Sequence, residues 1–184
     1  LPLAKALAER GHDVQVLTGF PNYPGGKLYP GYRIRLWQRE RIDGIDVIRV
    51  PLFPSHDTSG WRRMLTYLSF AFSCFVLGPF LIKRPNVIYI YNLITLHFVA
   101  RWFRLLFRAK TVLDVQDLWP ESVTNSGMMR RSMMGSVLTR WSNCEYRRAN
   151  RLIALSPGFQ ANLMARGIPE DRVAVIYNWC DESP

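Results

Sequence analysis

Thr111–Ser122 reads TVLDVQDLWPES, an apolar, β-prone run that ends abruptly in polar and acidic residues, an aromatic and a proline. Such a segment is a strand delivering side chains to the rim of a sheet. In open α/β sheets, ligands sit outside the carboxyl ends of the strands. Gln116, Asp117, Trp119 and Glu121 are therefore the first places to look for function.

On either side of this strand the hydrophobic period switches repeatedly. Leu3, Ala6 and Leu7 fall at helical spacing and Gly11 follows as a left-handed stop, so Leu1–Arg10 is predicted helical and Asp13–Thr18 a buried strand. Residues 19–32 carry Pro21, Pro24, Gly25, Gly26, Pro30 and Gly31 and sustain neither helix nor ladder. Loops of that length in compact domains are often functional. Arg33–Glu40 and Ile45–Val50 are β-like, joined through the hairpin signal Asp43-Gly44. Asn86–Tyr91 reads as a strand and Leu96–Phe107 as a helix. Arg130–Asn150 and Pro157–Arg166 read as helices, the second closed by Gly167, with Arg151–Ser156 and Val173–Tyr177 as strands. Strands alternating with helices at this spacing predict right-handed βαβ crossovers, hence an α/β, Rossmann-like, doubly wound parallel sheet.

At 184 residues, 48% hydrophobic and 13% aromatic, the chain is long enough for one substantial core and is read as one domain. A net charge of +10 points to an anionic partner: phosphate, a lipid headgroup or nucleic acid. Arg101–Arg151 concentrates this, with 10 basic and 4 acidic side chains. Cys74, Cys144 and Cys180 lie far apart, without a CxxC pair or a His at ligand spacing. That argues against a disulfide framework and a zinc site, and fits a reducing cytoplasm.

Met64–Ile82 is a run of 19 residues without a charge. As a helix it would reach about 28 Å, enough to cross a bilayer core. Arg62 and Arg63 at one end and Lys83 and Arg84 at the other give no positive-inside bias, and Gly78-Pro79 is expected to break the helix near its end. A core or interfacial helix is favoured over a spanning one. Arg101, Arg104 and Arg108 would share one helix face, either as a solvated stripe or as part of an interfacial helix with Trp102, Phe103 and Phe107 toward lipid.

Several chemistries lose support. GxGxxG is absent, and Gly25-Gly26-Lys27 lacks P-loop spacing and a following Ser or Thr. Asp114 and Asp117 are three apart and would face opposite sides of an extended strand, so they form no DxD metal pair. No metal site is predicted.

Three strings carry a resemblance: GHDVQVLTGFPNYPGGKLYPGY at 11–32, DLWPES at 117–122 and VAVIYNW at 173–179. Together they resemble the amino-terminal half of bacterial family 4 glycosyltransferases of the GT-B fold, near the O-antigen and exopolysaccharide enzymes that include fucosamine transferases. The resemblance runs essentially end to end. It implies a two-domain enzyme of the retaining type that moves a sugar from a nucleotide-diphosphate sugar to an oligosaccharide or polyprenyl-phosphate-linked acceptor in cell-surface polysaccharide synthesis. It implies no cofactor and no protein-held metal, and a cytoplasmic location, peripheral at the anionic inner face of the plasma membrane. Residues 1–178 would be the acceptor-side domain and 179–184 the start of an interdomain linker. A first strand with a Gly-rich loop would precede Leu1, and a nucleotide-sugar domain would follow Pro184.

Asp117, just past a strand end, suits acceptance of a hydrogen bond from a sugar hydroxyl; capping a turn is its other reading. Gln116 stands where many family members carry His or Arg. An amide does not exchange protons near neutral pH, so Gln116 is assigned hydrogen bonding alone and no catalytic residue is named. Trp119 either stacks on a pyranose ring or packs. Pro120 and Glu121 resemble a helix start. Asn22, Tyr23, Tyr91 and Asn92 follow predicted strands and are expected at the same edge as Asp117, lining an acceptor cleft. By resemblance, Ser156 and Asn178 face the interdomain cleft and the donor. His12 and His56 have no neighbour suggesting catalysis, while His97 is either buried or catalytic. Nucleotide-sugar epimerases share the architecture but not DLWPES. A basic nucleic-acid-binding domain would interleave aromatics with exposed Lys and Arg, whereas here they fall within apolar runs, so no nucleic acid is expected.

Overall fold

A computed structural model describes residues 2–22, 25–55, 60–91, 95–119 and 133–178. The chain divides into two compact units, Leu1–Pro85 and Asn86–Pro184.

The first unit contains helix α1 (Pro2–Glu9), strands β1 (Gln15–Gly19), β2 (Gln38–Ile42) and β3 (Ile45–Val50), and the long helix α2 (Gly60–Leu81). Its sheet has the order β1-β3-β2, with β1 parallel and β2 antiparallel to β3. The β2–β3 turn is the predicted hairpin. Asp43 and Gly44 both take positive φ, 49° and 81°, as a two-residue turn matched to strand twist requires. Central β3 buries Ile45, Val47, Ile48 and Val50. β1 is only half-buried along its length, not buried as predicted, because it pairs on one side alone within this sheet. The ladder of β2 begins at Gln38, and Arg33–Trp37 ahead of it is exposed and outside any strand.

α2 packs on this sheet through Phe70, Ala71 and Cys74. Pro79 lies inside its last turn without breaking it, and the Ile82 N–H still closes on the Gly78 carbonyl at 3.1 Å. A proline so near the end costs one ladder bond while its fixed φ remains helical.

The second unit is the parallel half. β4 (Val87–Tyr91), α3 (Thr95–Phe107), β5 (Lys110–Val115), α4 (Met133–Arg148), β6 (Arg151–Ala154), α5 (Pro157–Ala165), a 3-10 turn (Glu170–Arg172) and β7 (Val173–Val175) follow in order. The sheet runs β4-β5-β6-β7, all parallel. Leu113, Val115, Leu152, Ala154 and Val173 from the strands meet Ala100, Tyr146, Ala149, Leu163 and Ile168 in one core. Near-continuous apolar strands are what burial on both faces of a parallel sheet demands. α5 shows its signals plainly: Ser156 caps it, Pro157 opens it, and Gly167 at φ 83° turns the chain so that Ile168 N–H reaches Leu163 O at 3.2 Å.

For α3 the structure corrects the shared arginine face and excludes the alternative that turned Phe103 and Phe107 toward lipid. The helix ends at Phe107, and Arg108 has φ 56°, so it leaves the face shared by Arg101 and Arg104. Phe103 is buried, and Phe107 meets it edge-on at 5.8 Å, so these aromatics face inward. The exposed apolar side chains of α3 are Phe98, Leu105 and Leu106.

Candidate functional site

The β5 strand ends at Val115, and the next two residues stand at the carboxyl end of the second unit's sheet as predicted. Gln116 is held from both sides. Its Nε2 donates to Asp114 Oδ1 at 2.8 Å, and its Oε1 accepts from Asn178 Nδ2 at 3.1 Å. Asp114 Oδ2 accepts from the Tyr89 hydroxyl. A chain of hydrogen bonds thus runs from β4 through β5 to the segment after β7, and it places two predicted site residues, Gln116 and Asn178, in direct contact. Burial first, then the hydrogen bond to Asp114 and its charge, push the Tyr89 hydroxyl above the ordinary tyrosine range.

Asp114 and Tyr89 are the residues that sequence reasoning missed. Asp114 is only 5% exposed, set between Leu113 and Val115 in the strand KTVLDV. A buried carboxyl group needs partners, so an Asp inside TVLDV was itself a signal that neighbouring strands supply hydroxyl or amide donors.

Asp117 is exposed at the rim, and Tyr91, ending β4, is 58% exposed. Trp119 corrects its stacking role: it is 9% exposed. Its N–H donates to the Tyr146 hydroxyl at 3.4 Å, and its carbonyl accepts from Arg166 Nη1 at 2.6 Å and Ser142 Oγ at 3.3 Å. The residue fastens the post-β5 turn to α4 and to the end of α5, leaving no open indole face for a sugar. Ser156 Oγ accepts the Phe159 N–H at 3.3 Å and serves as a helix cap. Tyr23, Asn92, Pro120 and Glu121 lie outside the described residues.

Asn22 belongs to the first unit, in the loop that follows β1. That loop is anchored: Tyr29 N–H donates to Pro21 O at 3.1 Å, and Arg49, paired with Glu40, reaches Gly19 O at 3.0 Å and lies 4.9 Å from the Tyr32 ring centroid.

His97, in the first turn of α3, is buried beside Tyr146 at a ring-centroid distance of 5.9 Å, and burial pushes its pKa down to about 4. It lines a cleft of about 290 Å³ with Arg101, Arg104, Glu145 and Arg148. Its Nδ1 has no partner. Burial and neutrality at physiological pH make it a core histidine, not a proton shuttle. Among the described residues, no three His, Cys, Asp or Glu side chains cluster to hold a metal ion.

The rim can therefore donate and accept hydrogen bonds through Gln116, Asp117, Tyr91 and Asn178, the repertoire for grasping a polyhydroxylated ligand. The model of the glycosyl transferase 4-like domain matches residues 1–179. The chain belongs to the glycosyl transferase 4-like domain family. Over 185 aligned positions, covering 95% of the chain, this family member is 26% identical to WcaI of Escherichia coli (strain K12), described as a colanic acid biosynthesis glycosyl transferase. The chain spans 44% of that relative's length.

Proposed function

We propose that this chain is the acceptor-side domain of a two-domain GT-B glycosyltransferase of cell-surface polysaccharide synthesis. In the whole protein a sugar passes, with retention at its anomeric carbon, from a nucleotide-diphosphate sugar to a lipid-linked or oligosaccharide acceptor. Residues 179–184 begin the linker to a domain that binds the nucleotide, so the present domain's task is to orient the acceptor hydroxyl. Holding two reactants in line supplies a large share of such an enzyme's rate. The protein works in the cytoplasm, peripheral to an anionic membrane that carries a polyprenyl-phosphate acceptor; the net charge of +10 supports this placement.

The observation that carries the reading is the exposed Asp117 beside an amide locked by Asp114 and Asn178, at the strand ends of a chain in this family. Asp117 accepts a hydrogen bond from the acceptor hydroxyl, Gln116 donates one, and Tyr91 extends the surface that meets the sugar. Asn178 lies toward the donor.

Asp117→Asn in the full-length enzyme removes the charged acceptor without changing shape. A hydrogen bond to a charged group contributes about 1.5–3 kcal/mol, so transfer falls roughly 10- to 100-fold. Nucleoside diphosphate binding, followed by calorimetry, stays within about twofold, because the nucleotide contacts the other domain. Equal loss of transfer and nucleotide binding would refute the assignment of Asp117 to the acceptor.

A further inference from the structure

We infer that the exposed face of α2 docks on an anionic lipid surface, lying in its interface without crossing it. The inference rests on the peripheral placement proposed above and identifies the surface responsible. α2 has no acidic residue, and Met64–Leu81 is long and apolar enough to cross a membrane by length and composition. A helix apolar all round belongs inside a protein core or in lipid. This one is not inside a core: only 17% of Met64–Leu81 is buried.

The helix has two opposed apolar faces. Phe70, Ala71 and Cys74 are buried against the first unit's sheet. Leu68, Phe72, Val76 and Phe80, each four residues from the last, form an exposed stripe, with Phe72 69% and Phe80 86% exposed. At about 1.5 Å per residue the stripe runs ~18 Å, and exposed Trp61 extends it by nearly two turns. A contiguous apolar patch of this extent marks an interaction surface.

Attachment along its length rules out spanning. Phe53 N–H donates to Ser69 Oγ at 2.8 Å, Arg39 Nη2 to Leu81 O at 2.6 Å, and Lys83 N–H, just past the helix, to Gln15 Oε1 at 2.7 Å. A helix tied lengthwise to a sheet has one face to offer, the geometry of interfacial attachment.

Charge selects lipid over a protein groove. Arg62 precedes the stripe, and Lys83 and exposed Arg84 follow it; Lys83 also pairs with Asp13 at 2.9 Å. Arg39 brings the start of β2 to the end of α2. The exposed segment leading into β2 reads Arg33-Ile34-Arg35-Leu36-Trp37, basic and apolar in alternation. Apolar side chains with basic ones at their margin fit an acyl boundary under anionic headgroups.

Flotation of the full-length protein with vesicles tests this, comparing phosphatidylcholine alone with phosphatidylcholine containing phosphatidylglycerol. The wild type floats with the anionic vesicles. Phe72→Ser/Phe80→Ser, which alters only exposed side chains and leaves the melting temperature unchanged, partitions at least about tenfold less. Phe72→Leu/Phe80→Leu retains flotation. Unchanged flotation of the serine variant would overturn the role of α2 and leave the peripheral placement standing; no flotation of the wild type would overturn both. A wild-type dimer that the serine variant dissolves, with no flotation of either, would make the stripe a contact between two copies and overturn lipid docking.

Discussion

Asp114 shows how much one buried side chain organises. It accepts from Tyr89 and from Gln116, and Gln116 in turn accepts from Asn178. Asp114→Asn leaves one oxygen for two donors and turns an NH₂ toward one of them. A buried mismatch of this kind costs about 1–3 kcal/mol, which for a protein of this size lowers the melting temperature by roughly 2–10 °C. Tyr89→Phe removes one donor, and in the double variant the two effects are less than additive when unfolding is followed by circular dichroism. His97 carries a different signature. Its pKa in the fold is about 4 against 6.5 ordinarily, so it stays neutral where the unfolded chain takes up a proton. Its contribution is complete above about pH 6.5 and is lost as pH falls toward 4, on the order of 3 kcal/mol in total. Burial raises Glu145 in the same cleft, against the opposing charges of Arg148 and Arg101. A raised carboxyl contributes with the opposite sign, favouring the fold at low pH. Comparing wild type with His97→Phe in urea between pH 7 and 4.5 isolates the histidine: the difference in stability should shrink as pH falls.

Periodicity and turn chemistry are local, and the elements that depend on them were legible. Asp43-Gly44 announced the hairpin because only certain residues tolerate two consecutive positive φ values. Ser156-Pro157 and Gly167 bracketed α5 for equally local reasons. Exposure is not local. A 19-residue uncharged run says that α2 is apolar, yet nothing in the run says that Phe70 and Cys74 face a sheet while Phe72 and Phe80 face outward. The same holds for α3, where an interfacial helix with Phe103 and Phe107 toward lipid is one of two readings of the run, yet both turn inward and leave Phe98 and Leu105 outside. At the candidate site, the rim position of Gln116 and Asp117 followed from where an apolar strand stopped. The partners of Gln116 come from strands 27 residues earlier and a segment 62 residues later, Tyr89 through Asp114 and Asn178 directly. Only the sheet register, Tyr91 beside Asp114 and Asp114 beside Ile153, brings them together.

For the molecule as a whole, the division of labour proposed above between two domains has a direct consequence. Among the described residues, the rim of the second unit presents an amide, a carboxyl group, a phenol and a second amide, which can orient a hydroxyl but supply no clustered cations for a pyrophosphate leaving group. Electrostatic stabilisation of the leaving group is a dominant contribution in transfer of this kind, and under the proposed function it belongs to the nucleotide-binding domain. The 184-residue chain alone is therefore expected to catalyse neither transfer nor hydrolysis of a nucleotide-diphosphate sugar. Incubating equimolar chain and full-length protein with donor and acceptor, and separating nucleotide products by chromatography, checks this. Release of nucleoside diphosphate by the full-length protein only is the expected result. Turnover by the chain alone would place the whole reaction on these two units and overturn the two-domain account, while leaving the family membership intact.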